Sequence, residues 1–313
     1  MLDILAVTGP IYLLMALGFV SGRRGVFAPT DFRVLGQFVV QFCLPALVFK
    51  ALSQRAFADI LNSTYLLAYA GGSLAMLALG VALARGRGRR MAYSSFFGMG
   101  MACSNSGFVG YPVMLQLLGP PAAVALALCM LVENMLMVPL CLALAESQGA
   151  EHLPWYRVMG QSLAKVVRTP LVLSILAGFA LSALGLQLPA VLTRAVDLLA
   201  VASAATALFV IGGSLAGRSV QGQVGSIAQV ALGKLVLHPA AVLGLLWLLP
   251  PIDPVLRLAA VAFAAMPMFS IYPILAQKYG EESFCAATLV VTTLASFLTL
   301  SGWLWVLRHG LGW

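Results

Sequence analysis

The residues of this chain best suited to chemistry lie inside apolar runs, where polar groups are costly. The stretch Cys103-Ser104-Asn105-Ser106-Gly107-Phe108-Val109-Gly110-Tyr111-Pro112 places two serines and an asparagine beside two glycines and a proline. A second such stretch runs Ala265-Met266-Pro267-Met268-Phe269-Ser270-Ile271-Tyr272-Pro273. Proline removes a backbone donor and clashes with the preceding turn, and glycine tolerates non-helical angles, so both stretches should unwind a helix. Free N–H groups at the start of a half-helix favour an anion, and free carbonyls at the end of another favour a cation or a donor. Asn105, Ser104 and Ser106 add side-chain hydrogen bonds, and Gly107, Tyr111, Pro112, Ser270, Tyr272 and Pro273 complete the candidate binding surface. A simple proline kink, with serines bonded back to their own helix, is the plainer reading of either stretch alone. Tyr111 and Tyr272 either line a cavity or pack beside the breaks.

Charged groups in apolar runs form a second set. Glu133, next to Asn134, falls in the middle of one run. A carboxylate there is costly unless it is protonated or paired, which suits a proton-coupling group and equally a structural acid bonded to another helix. Lys234 and His238 are four residues apart, on one helical face. Lys234 can neutralise a substrate carboxylate, pair with Glu133, or snorkel to the membrane surface. His238 is a titratable candidate near neutral pH or a packed histidine. Ser106-Gly107 together with His238 also raises an intramembrane serine hydrolase, in which histidine activates serine. The small residue such a motif wants two places before the serine is Ser104 here, not glycine.

The elements that must position these residues follow from composition. Hydrophobic residues make up 61% of the 313-residue chain and charged residues 9%. Soluble domains carry about 25% charged residues, so this chain cannot cover a water-facing surface. Runs of about twenty apolar residues indicate membrane-spanning helices and not a barrel. Ten spans are expected, at about 4–22, 33–52, 62–84, 92–118, 120–146, 167–186, 191–216, 226–249, 255–278 and 284–307. The first follows Met1-Leu2-Asp3 without a basic leader and is expected to be a retained helix. The longest gap, 147–166, carries Trp155, Val158, Met159 and Leu163 at helical spacing beside Arg157 and Lys165. It reads as a helix on the membrane surface or as a solvated linker.

The net charge of +8 reflects cationic loops. With loops alternating sides, Arg23, Arg24, Arg33, Arg85, Arg87, Arg89, Arg90, Arg157, Lys165, Arg168, Arg218 and Lys278 share one face. Lys50, Arg55, Arg194, Arg257 and Arg308 share the other. That is twelve cations against five, so the first face is expected to be cytoplasmic, with both termini outside, in the periplasm of an inner-membrane protein. No basic patch interleaved with aromatics suggests nucleic acid. Cys43, Cys103, Cys129, Cys141 and Cys285 all fall in apolar runs without metal-ligand spacing, so no metal, cofactor or disulfide frame is expected.

Sliding the chain on itself reveals a repeat. At an offset of 160, Pro10 meets Pro170, Gly18-Phe19 meets Gly178-Phe179, Gly25 meets Gly185 and Pro29 meets Pro189. At 161, Phe108 meets Phe269, Tyr111-Pro112 meets Tyr272-Pro273, Gln116 meets Gln277 and Gly119 meets Gly280. The halves, 1–146 and 167–313, each hold five spans, an odd number, so the second enters the membrane from the opposite side. Paired, interrupted spans in such an inverted repeat mark the transport site of many secondary carriers.

Asn105-Ser-Gly-Phe-Val-Gly110-Tyr-Pro112 followed by Gly119, and Met266-Pro267 leading to Leu275-Ala276-Gln277-Lys278-Tyr279-Gly280, resemble the bacterial branch of the auxin efflux carrier family. Pro45 and the Glu133-Asn134 to Pro139 stretch extend the resemblance over the whole chain, nearest to malonate transporter-like members. The resemblance implies an all-α integral membrane fold of ten transmembrane helices in a five-plus-five inverted repeat. This fold is like that of bile-acid symporters and sodium/proton antiporters, with broken fourth and ninth helices that cross. It further implies carriage of small organic anions such as auxin, malonate or malate by an elevator-like motion. Asn105 matches the asparagine that holds the carboxylate in the plant carriers. The ninth span departs from the pattern, having no asparagine near Pro273, and the long central loop of many plant members is absent. The expected partners are a small carboxylate substrate, the lipid bilayer and a second copy of the chain as a homodimer. An anion channel is the remaining alternative, and no sodium site is evident.

Overall fold

The computed structural model describes residues 2–53, 62–147, 160, 164, 167–216 and 224–310. The expected surface helix, with Trp155, Arg157, Val158, Met159, Leu163 and Lys165, lies outside the described residues, as do Arg55 and Arg218.

The described residues are helical, without a strand. We number the helices α1 (Leu2–Arg23), α2 (Pro29–Ser53), α3 (Ser63–Arg85), α4 (Met91–Ala102), α5 (106–118), α6 (Pro121–Glu146), α7 (Pro170–Leu184), α8 (Ala190–Leu215), α9 (Val224–Leu248), α10 (Pro254–Ala264), α11 (Tyr272–Gln277) and α12 (Glu282–Gly310). Six of them, α2, α3, α6, α8, α9 and α12, are long and apolar enough to cross a membrane. The fourth apolar segment is divided into α4 and α5 by residues 103–105, and the ninth into α10 and α11 by residues 265–271.

Four prolines each follow a widened turn of the helix they sit in. Five- or six-residue π-helical turns occupy Val39–Cys43, Ser106–Gly110, Val132–Met137 and Gly233–Leu237. Each ends two residues before a proline: Pro45, Pro112, Pro139 and Pro239. A proline cannot donate to the carbonyl four residues back and its ring presses on that carbonyl, so the preceding turn opens and takes in an extra residue. Glu133 and Lys234 both sit in such widened turns.

Glycines set the ends. Gly25, Gly88, Gly119, Gly185 and Gly280 have φ between 63° and 74°. A positive φ suits glycine above other residues; Gly185, with ψ 21°, is a left-handed helix cap, whereas Gly119, with ψ −145°, ends its helix in a more extended conformation. Four of the five are the pairs that the sequence offset aligns, Gly25 with Gly185 and Gly119 with Gly280, and all four have a positive φ.

The chain forms two compact units, each drawn from both sequence halves. The first comprises residues 1–62, 107–128 and 167–217. Here α1 and α8 approach so closely that a Cβ on Gly212 would overlap the Met15 carbonyl. Small residues at such contacts let backbones pack where no hydrophobic effect drives association. Phe27, Phe32 and Phe209 close the end of this pair, with ring centroids 5.5–5.7 Å apart. Val39, Cys43, Leu44 and Ala207 form the α2–α8 core.

The second unit comprises residues 63–106, 129–166 and 218–313. Gly80 of α3 faces Gly98 of α4, where an added Cβ would stand 2.5 Å from the Gly98 Cα. Gly72 seats α3 against Val242 of α9, with 2.6 Å between an added Cβ and Val242 Cγ2. This close approach of α3 and α9 brings their polar residues together.

Candidate functional site

Within the second unit the two breaks are bonded to one another. The Asn105 backbone N–H donates to the Pro267 carbonyl at 2.7 Å, and its side-chain amide donates to Ser270 Oγ at 2.8 Å. Asn105 is 3% exposed, so the contact lies away from water and lipid. Unwound backbone at membrane depth needs such protein partners.

Glu133 occupies the start of α5. Its Oε1 accepts from Tyr69 Oη at 2.8 Å, Ser106 Oγ at 2.8 Å and the Ser104 backbone N–H at 3.2 Å. A half-helix N-terminus carries free N–H groups and partial positive charge, so a carboxylate is favoured there. Hydrogen bonds to a charged group contribute about 1.5–3 kcal/mol each, against a desolvation penalty of several kcal/mol for a buried ion.

Lys234 occupies the end of α10. Its Nζ lies 2.6 Å from the Ala264 carbonyl oxygen, 2.8 Å from Ser104 Oγ and 2.9 Å from His238 Nδ1. The last carbonyls of a helix have no intrahelical donor and favour a cation. An ammonium has three N–H donors, and here three neighbours receive them. That assignment makes His238 a neutral imidazole whose Nε2–H donates to Ser73 Oγ, 3.0 Å away. Lys234 and His238 are fully buried, so the snorkelling alternative for Lys234 is not what the fold adopts. Ser104 stands between the two charges: its N–H serves Glu133, and its hydroxyl serves Lys234 and lies 3.2 Å from Tyr69 Oη.

The other candidates divide. Ser270 joins the site through Asn105. Tyr272 donates to the Phe96 carbonyl at 2.6 Å and is fully buried, so it ties α11 to α4. Pro273 is buried at the start of α11. Gly107, Tyr111 and Pro112 are buried in the first turns of α5. Asn134 donates back to Met130 of its own helix at 2.9 Å and stays outside the cluster. Ser106 donates to Glu133, while His238 faces Lys234 and Ser73, so His238 is partnered with Ser73 and not with the Ser106 that the hydrolase alternative invoked.

Sequence reasoning missed Tyr69 and Ser73. The available signal was Tyr65, Tyr69 and Ser73 at four-residue spacing, a polar stripe on an apolar helix. Tyr65 continues the stripe to Cys129 Sγ at 2.9 Å.

In the first unit, Lys50 pairs with Asp197 at 2.6 Å. The pair borders a cavity of about 530 Å³ that also touches Ser53, Ser182, Gln187 and Thr193.

Comparison with known proteins follows the same lines. Residues 5–304 match the family described as membrane transport protein. A Rhizobium meliloti (strain 1021) protein named as a candidate malonate transporter is 30% identical over 99% of this chain and 98% of its own length. The uncharacterised transporter YfdV of Escherichia coli (strain K12) is 25% identical over 96% of each chain. A match over nearly the whole length, to a family of multi-pass carriers and by a chain of long apolar helices, leaves one conclusion: this protein belongs to the auxin efflux carrier family of membrane transport proteins.

Proposed function

We propose that the protein is a secondary active transporter of small organic anions, mono- or dicarboxylates with malonate favoured, working by elevator-type alternating access. On this reading it is an inner-membrane protein of ten spans in two inverted halves, 1–146 and 167–313, joined by a cytoplasmic 147–166 segment. Both termini are periplasmic, and the broken fourth and ninth helices cross at the substrate. The observation that carries the reading is the pair of hydrogen bonds from Asn105 to Pro267 and Ser270, which joins two interrupted segments that occupy equivalent repeat positions. The glycines of positive φ at matching offsets in the two halves support the repeat. Malonate is favoured because the Rhizobium meliloti relative carries that name. The substrate carboxylate sits at the half-helix ends beside Asn105, and Glu133 is the group through which protons couple to transport.

The experiment is counterflow of labelled malonate in proteoliposomes, wild type beside Asn105→Ala. Accumulation by wild type and its loss in the variant is the expected result. Undiminished accumulation in Asn105→Ala would move the site elsewhere. A folded wild type without malonate counterflow would remove malonate, and the same vesicles would then be screened with other carboxylates.

A further inference from the structure

We infer that Glu133 is a tethered stand-in for the substrate carboxylate, released by one proton, with Lys234 as the fixed counter-charge that makes each bound proton admit one carboxylate. The inference rests on the carrier reading above and adds its coupling stoichiometry and order.

Three donors converge on Glu133 Oε1 from Tyr69, Ser106 and the Ser104 backbone. They gather at the start of α5, the place where a broken helix favours an anion. A carboxylate of the protein therefore already holds the position that suits an incoming one. Charge balance gives the consequence. Around Glu133 the titratable groups are Tyr65 and Tyr69 on α3, Cys103 at the break, Cys129 on α6 and Lys234 on α9, with His238 behind Lys234. Of these only Lys234 is ordinarily cationic at neutral pH, and its three donors are held by Ser104, Ala264 and His238. With Glu133 ionised, the buried cluster is neutral, and a second carboxylate would enter as an uncompensated charge, at a cost of several kcal/mol. When Glu133 takes up a proton, its hold on the three donors weakens and the cluster carries the charge of Lys234. One carboxylate then restores neutrality. The proton binds first and the anion second, so a monocarboxylate travels as an electroneutral pair. A dicarboxylate travels with one of its own carboxyl groups protonated, because Lys234 offers a single charge.

The test reads protons directly. Purified protein in weakly buffered detergent receives a panel including acetate and malonate, and a pH-indicator dye reports proton exchange while labelled ligand reports binding. Wild type should take up about one proton per acetate bound, and about two per malonate dianion, one on Glu133 and one on the ligand, as binding linkage requires. Glu133→Gln should bind acetate with no proton uptake and exchange it at a rate that no longer varies with pH above the acetate pKa, while malonate should still bring the one proton it carries itself. Lys234→Met should lose carboxylate binding at least tenfold. Ser106→Ala, a smaller change, keeps the network but removes one donor from the ionised Glu133, so its exchange profile should move to higher pH by about one unit. Acetate exchange without proton uptake in wild type, or acetate-linked proton uptake retained in Glu133→Gln, would overturn this inference and leave the carrier standing. Failure of every carboxylate to bind or exchange would remove the carrier reading, and this inference with it.

Discussion

The indole nitrogen of Trp303 donates to the carbonyl oxygen of Leu235 at 2.9 Å. Leu235 is four residues before Pro239, so its carbonyl is the one that loses a helical donor to the proline. A side chain from α12 thus supplies the bond that the α9 backbone cannot, beside the turn that carries Lys234.

Trp303→Phe should leave that carbonyl without this donor and lower stability by about 1–3 kcal/mol. Pro239→Ala restores an N–H at position 239 and should recover part of the loss in the Trp303→Phe background. Thermal unfolding of the four proteins in detergent makes the comparison. If the two changes simply add, the indole does not substitute for the missing backbone donor.

Lys234 and Glu133 should behave as one unit. Lys234→Met removes the cation from the Ala264 carbonyl and leaves a buried carboxylate uncompensated, a loss of about 3–5 kcal/mol. Glu133→Gln in the same molecule should return more than about 1 kcal/mol of it, because residues in one network do not add. Denaturant unfolding of the single and double variants measures this. Additive losses would mean that Ser104 does not link the two charges.

The ion pair of Lys50 with Asp197 should weigh far less. Its side chains are 36% and 40% exposed, so solvent screens the attraction and the pair contributes about 0–1 kcal/mol. Lys50→Met should shift the unfolding midpoint by no more than the scatter between preparations. A loss comparable to that of Lys234→Met would show that the pair supports the fold of the first unit.

The breaks were legible because Pro, Gly and Ser are poor residues for a spanning helix, and clustered at 103–112 and 265–273 they make a continuous helix costly. Glu133, Lys234 and His238 were legible for a related reason: a charge in an apolar run demands partners. The identity of those partners was not legible. Two of them, the Ser104 N–H and the Ala264 carbonyl, are backbone atoms that any residue type would present. Tyr69 was hidden because tyrosine is common in apolar helices, and only its four-residue spacing to Tyr65 and Ser73 sets it apart. The π-helical turns were half visible. Proline predicts a disturbed helix, but whether the helix kinks or takes in an extra residue depends on packing by the neighbouring helices. The grouping into two units was invisible, because each gathers segments distant in sequence.

Gly100 lets α11 approach α4. A Cβ there would stand 2.7 Å from Tyr272 Oη and 2.8 Å from Val230 Cγ1, both inside van der Waals contact. Tyr272 cannot retreat easily, because its hydroxyl is fixed on the Phe96 carbonyl at 2.6 Å. Gly100→Ala should therefore destabilise by about 1–3 kcal/mol through overpacking. Tyr272→Phe should also destabilise, by about 1–3 kcal/mol, since the Phe96 carbonyl loses this donor. The double variant decides between the two causes. Without the hydroxyl, the nearest clash at position 100 disappears, and the loss in Gly100→Ala/Tyr272→Phe should fall well short of the sum. A loss equal to the sum would place the strain at Val230 instead, and Val230→Ala would then be the substitution that relieves it.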